Sequence, residues 1–176
     1  MPPRAISVAE LDAFMGADKR IVNPHAQAQW DPHHIDGEKM MSWLLEIGGE
    51  IYPHARLAVT ASSVPRDGMF FRLQVLCPMA LCRLDYTDEI HSNPLTFDQP
   101  ELPASVEGPH LHPWSLNRRY FEKPPHNGIV QLRMAVPFEQ PVHSFDAALR
   151  WFCNEARIEP LPPNHVIELP EPDQLL

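Results

Sequence analysis

Met69-Phe70-Phe71-Arg72-Leu73-Gln74-Val75-Leu76, then Cys77-Pro78-Met79, then Ala80-Leu81-Cys82-Arg83-Leu84-Asp85-Tyr86, is the stretch that decides the fold. Both outer runs are short and rich in branched and aromatic residues. Gly68 precedes the first and Pro78 parts the two, so each reads as a strand. Leu57 to Ala61 and Ile129 to Val136 read the same way. In the latter, Val130, Leu132, Met134 and Val136 alternate with Gln131, Arg133 and Ala135, which predicts a core face made by the first set. Met40 to Ile47 fits a strand with Met41, Trp43, Leu45 and Ile47 on one face, or a short buried helix; Gly48-Gly49 ends it either way.

Helices are expected at both ends of this sheet. Ser7-Val8-Ala9-Glu10 matches a capping box, with Leu11, Phe14 and Met15 following at helical spacing, and predicts a helix over about 7–17. Ser144 can cap a second, whose stripe is Ala147, Ala148, Trp151 and Phe152. Residues 21–37 carry no periodicity and read as loop or extended chain. The expected architecture is α+β: a single domain over 1–176, mainly an antiparallel sheet of four or five strands, with an N-terminal and a C-terminal helix. A long Pro-rich loop at 94–108 and a Pro-rich tail at 159–176 interrupt it, the tail offering His165 to Leu169 as an edge strand.

Composition narrows the function classes. A chain of 176 residues is long enough to bury a core without staples. Cys77, Cys82 and Cys153 form no C-x-x-C pair, which speaks against a zinc ribbon and for a reducing compartment. No signal-peptide core and no run of eighteen apolar residues occurs, so the expected setting is cytoplasmic, with no membrane segment. Net charge is −9, from fourteen Lys and Arg against twenty-three Asp and Glu, which makes extensive direct nucleic-acid binding unfavourable and a protein partner with a basic surface the expected kind. No Gly-rich phosphate loop, G-x-S-x-G elbow or H-E-x-x-H is present.

Polar, reactive side chains are densest between Arg83 and Arg119: Asp85, His91, Asn93, then Pro109-His110-Leu111-His112-Pro113-Trp114, then Arg118 and Arg119. In extended chain, residues two apart share a face. His110 and His112 can therefore offer two imidazoles to one divalent metal ion or one phosphate, with Asp85 or His91 completing the set. The candidate metal ligands are His110, His112 and Asp85. The candidate catalytic set is Asp85, His91, His110, His112 and Arg118, the arginine stabilising developing phosphoryl charge. Without metal, the two histidines serve as acid and base. Against this stands a plainer reading, in which each imidazole bonds a loop carbonyl or carboxylate and Asn93-Pro94 merely starts a turn. His33-His34 lies in unpatterned chain and needs a distant partner to hold metal. Cys153, in the apolar stripe of the last helix, reads as an inert small hydrophobe.

Arg83-Leu84-Asp85, His91-Ser92-Asn93-Pro94, Pro109-His110-Leu111-His112 and Trp151-Phe152-Cys153-Asn154 occur in that order. The order resembles an uncharacterised family of small bacterial proteins found near prophages and mobile elements. The resemblance implies a compact sheet-plus-helix protein and the setting of an accessory protein that binds or inhibits a cellular protein or defence complex. A His-based, metal-dependent hydrolase of phosphodiesters or nucleotides is the alternative that the residues themselves suggest.

Overall fold

The computed structural model describes residues 6–24, 29–64, 68–94, 101–122 and 132–171. The first helix, α1, runs Val8–Gly16. Its capping box forms as the sequence predicts: Glu10 N donates to Ser7 Oγ at 3.3 Å, and Ser7 N donates to Glu10 Oε2 at 2.8 Å. The last helix, α4, is Phe145–Glu155, with Ser144 Oγ accepting from Ala147 N. Two further helical turns, α2 (Trp114–Asn117) and α3 (Arg119–Glu122), lie between them.

The sheet is larger than four or five strands. Its long members are β3 (Glu38–Ile47), β4 (Glu50–Ser62), β5 (Phe71–Leu76) and β6 (Ala80–Tyr86). Two-residue strands β1 (Arg20–Ile21) and β2 (Asp31–Pro32) both pair with β3, while β9 (His110–His112) and β10 (Val136–Pro137) extend the far edge beyond β6. All eight pair antiparallel. A separate hairpin joins β7 (Ile90–Ser92) to β8 (Ser105–Glu107), so part of the expected loop at 94–108 is strand; residues 95–100 lie outside the described residues. Strands of two or three residues are too short to leave a periodic signature, which is why the count exceeds the expectation.

Met40 to Ile47 is strand rather than helix. Gly48 and Gly49, at φ +61° and +86°, make a two-residue turn that feeds β3 into β4, a conformation glycine adopts without steric cost. Alternation then divides the sheet into two faces. Met41, Trp43 and Leu45, Leu57 and Val59, Leu73 and Val75, and Leu84 are buried on one, against Leu11 and Phe14 of α1 and Leu149 and Phe152 of α4. The opposite face carries two cross-strand rows. One is Met40, Thr60, Arg72, Asp85, His110; the other is Ser42, Ala58, Gln74, Arg83, His112.

Two expected strands are corrected. Ile129, Val130 and Gln131 lie outside the described residues, and residues 132–135 form no strand; only Val136–Pro137 pairs, with β9. Ala135, expected to face outward, is buried together with Leu132 and Met134. The main-chain groups here are taken by side chains, as described below. The tail at 165–169 is not an edge strand either: Ile167 is buried in the core, Trp30 Nε1 donates to Glu168 O, and Arg150 Nη1 donates to Leu161 O. All three cysteines are buried and free. Burial pushes the Cys153 thiol up to about 12, which leaves it the inert hydrophobe expected. Among the described residues, no helix is long and apolar enough to cross a membrane.

Candidate metal centre

Pairing of β9 with β6 sets Asp85 opposite His110 and Arg83 opposite His112. Pro109 and Pro113 bracket the three-residue strand, where a missing N–H ends further pairing, and Pro113 opens α2. His110 and His112 are two apart and share the polar face, as their spacing predicts. The β7–β8 hairpin then brings His91 to them. Ring centroids are 5.3 Å apart for His91 and His110, 4.6 Å for His91 and His112, and 5.1 Å for His110 and His112. One ring nitrogen of each lies within 4.8 Å of one from each of the others. Bonds of about 2.0–2.1 Å to a tetrahedral ion put such nitrogens ~3.4 Å apart, so the rings would have to draw together to share one ion.

What orients the rings is main chain. His110 Nδ1 is 2.7 Å from Gly108 O, His112 Nδ1 is 3.1 Å from Met134 O, and His91 Nε2 is 2.8 Å from Arg133 O. A carbonyl only accepts, so each of these nitrogens carries the proton and donates. In the neutral ring the other nitrogen is then the lone-pair site: Nε2 of His110, Nε2 of His112 and Nδ1 of His91. Ligand histidines in metal sites are held in this manner, the far N–H fixed on a carbonyl or carboxylate.

Asp85 stands beside them. Its Oδ2 is 3.3 Å from His110 Nε2 and 3.2 Å from His112 Nε2. Arg72 Nε donates to Oδ1 at 2.7 Å, and Arg83 Nε forms an ion pair with Oδ2 at 2.7 Å, though without hydrogen-bond alignment. Burial works against the charge on Asp85. The guanidiniums of Arg83 and Arg72 counter it and help hold the carboxyl well below the usual carboxylate range. For His112, burial dominates and pushes the pKa down to about 4, leaving its Nε2 unprotonated at neutral pH. A carboxylate oxygen thus faces a bare lone pair at 3.2 Å, an arrangement that a positive group relieves. Arg83 does part of this, placing Nη2 2.8 Å from His112 Nε2, where its N–H donates.

Two buried asparagines complete the scaffold. Asn117 Oδ1 accepts from Met134 N and its Nδ2 donates to Met134 O, both at 2.8 Å. Asn93 does the same for Ala135, at 2.7 and 2.8 Å. Side-chain amides therefore stand in for a neighbouring strand along 134–135 and fix the carbonyl that orients His112.

Of the residues expected from sequence, Asp85, His91, His110 and His112 converge. Of the two residues expected to complete the set with His110 and His112, His91 joins the three-ring group, while Asp85 lies against two of its members. Arg118 belongs elsewhere: its Nε donates to both oxygens of Asp12, and Nη1 pairs with Glu122. It ties α2 to α1. His33 lies 3.0 Å from Glu38, with its ring tilted against His34, and is not a member of the three-ring group. Arg72 and Asn117 were missed, because nothing in their local sequence distinguishes them. The β5–β6 register is what places Arg72 beside Asp85.

The chain matches no family model, and no curated protein or solved structure is similar to it.

Proposed function

We propose that this protein is a metal-dependent hydrolase of phosphodiesters or nucleotides, with His91, His110 and His112 as the ligands of a divalent transition-metal ion. One observation carries the reading. Each of the three rings sets one nitrogen against a main-chain carbonyl, and the group brings one ring nitrogen from each within 4.8 Å of the others. Three protein ligands leave a coordination position open, as in hydrolytic rather than closed structural sites, and a bound ion lowers the pKa of a coordinated water towards neutrality. Asp85, held by Arg72 and Arg83, sets a negative charge beside His110 and His112 that would favour a bound cation. A cleft of about 220 Å³ lined by Thr60, Ser62, Arg72, Asp85 and Tyr86 reaches the same carboxylate.

The test is the metal content of untagged protein beside a His110→Ala, His112→Ala double variant, followed by turnover of a nitrophenyl phosphodiester and a nucleotide panel. Near-stoichiometric ion lost in the double variant, with metal-dependent turnover, is expected. A folded wild type that takes up neither Zn(II), Co(II) nor Mn(II) sinks the reading. The accessory protein that captures a basic partner then becomes the better account. That second reading rests on the net charge of −9 and on the mobile-element resemblance, and its partner would be retained by the double variant and released by salt.

A further inference from the structure

Arg83 does more than hold Asp85. Its guanidinium makes two contacts at once: Nη2 with His112 Nε2 at 2.8 Å and Nε with Asp85 Oδ2 at 2.7 Å. The first of these occupies the lone pair that an ion ligated by His112 needs. An ion and the Arg83 Nη2–H therefore compete for one nitrogen. The second contact does not compete, and it tethers the guanidinium in place after the first is lost.

Charge supplies the next step. Arg72 and Arg83 bring two positive charges to the single negative charge of Asp85. Asp85 is only 5% exposed, and the Arg83 side chain only 23%. Adding a divalent ion raises the local excess to three, in surroundings where water screens poorly. Glu38 and Glu89 line the cleft with Arg72, and the Arg72 guanidinium feels both. The missing partner is an anion. A guanidinium whose Nη hydrogens have just been released, beside a cation with an open position, matches the planar donor fork that holds phosphate oxygens.

We propose that metal binding and oxyanion binding are one coupled event here. The ion displaces Arg83 from His112 Nε2, and the freed Arg83 N–H groups, together with the ion, hold a phosphate ester. The inference rests on the metal reading above and names its substrate class. It also gives the coupling a sign: phosphate tightens metal, and by linkage metal tightens phosphate by the same factor.

The experiment is a Co(II) titration of wild type, Arg83→Met and Arg83→Lys, followed by visible absorption, with and without millimolar inorganic phosphate. For wild type, phosphate should lower the apparent Kd about fivefold or more. Arg83→Met should bind Co(II) without phosphate at least as tightly as wild type, because the competitor for His112 Nε2 is gone. Its response to phosphate should shrink below about twofold. Arg83→Lys keeps the charge but not the fork, so its response should fall between the two; it serves as the second variant if Arg83→Met does not fold. A full phosphate response in the variants overturns the proposal, as does a loss of Co(II) affinity in Arg83→Met. Failure of wild type to bind Co(II) at all removes the metal reading itself, an outcome distinct from metal binding that phosphate leaves unchanged.

Discussion

Asn117 grips Met134 by both main-chain groups, its Oδ1 accepting from Met134 N and its Nδ2 donating to Met134 O, each at 2.8 Å. Met134 O also accepts from His112 Nδ1, so one asparagine fixes both an irregular segment and a candidate ligand. Asn117→Ala leaves the buried Met134 N–H without a partner. A loss of about 1–3 kcal/mol is expected in urea unfolding, because an unsatisfied buried donor costs more than an average hydrogen bond contributes. With its orienting carbonyl loosened, His112 should also bind metal about 10–100-fold more weakly. A variant as stable as wild type, with unchanged metal affinity, would show that water replaces the amide at no cost.

This asparagine also marks where sequence reading stops. Residues 132–136 have the alternation of a strand, and Leu132 and Met134 are buried as that alternation predicts. The ladder partners are nevertheless side chains from α2 and from the end of β7, which no local pattern encodes. The site itself was legible in part. His110-Leu111-His112 declares a shared face by spacing alone, and Asp85 ends a strand of recognisable composition. Their meeting depends on β9 pairing with β6 across the intervening hairpin, a long-range choice. Arg118 is taken by Asp12, more than a hundred residues earlier, a pairing that no local pattern encodes.

The β3–β4 turn yields a sharper prediction. Gly48 and Gly49 both have positive φ, and nothing lies within 4 Å of a Cβ built on either. Substitution there meets backbone strain and no clash. Gly49→Val should lower stability by about 1–2 kcal/mol, whereas Gly48→Asn, a residue that tolerates the left-handed region, should cost only a few tenths. Thermal melts of the two side by side decide it. Equal losses would mean that the cost does not depend on how well the side chain tolerates positive φ.

Lys19 gives a pH dependence. It is 1% exposed and caps the end of α1, Nζ donating to Phe14 O, Met15 O and Ala17 O at 3.0, 3.2 and 2.7 Å. Burial, helped by Arg157, pushes its pKa down from 10.5 to about 8. Between those values the unfolded chain binds more protons than the folded one, so stability contributed through Lys19 rises with pH across that window. The amplitude is at most about 3 kcal/mol. Unfolding free energies of wild type minus Lys19→Met, taken at pH 7.5 and pH 9.5, should increase. A difference that stays flat or falls would place the ammonium in contact with water.

Asp85→Asn tests how the cluster is held together. The substitution keeps the shape but removes the one negative charge between Arg72 and Arg83, leaving two guanidiniums facing each other beside His110 and His112. Breaking a buried ion pair costs about 3–5 kcal/mol. Arg72 is 38% exposed and can turn back towards water, so a smaller loss of about 2–3 kcal/mol is expected. Arg72→Met in the same background should then restore part of it, because it removes the surplus charge. A double variant no more stable than Asp85→Asn alone would mean that the carboxylate acts through hydrogen bonding to the imidazoles. In that case metal affinity should follow Asp85 and be indifferent to Arg72.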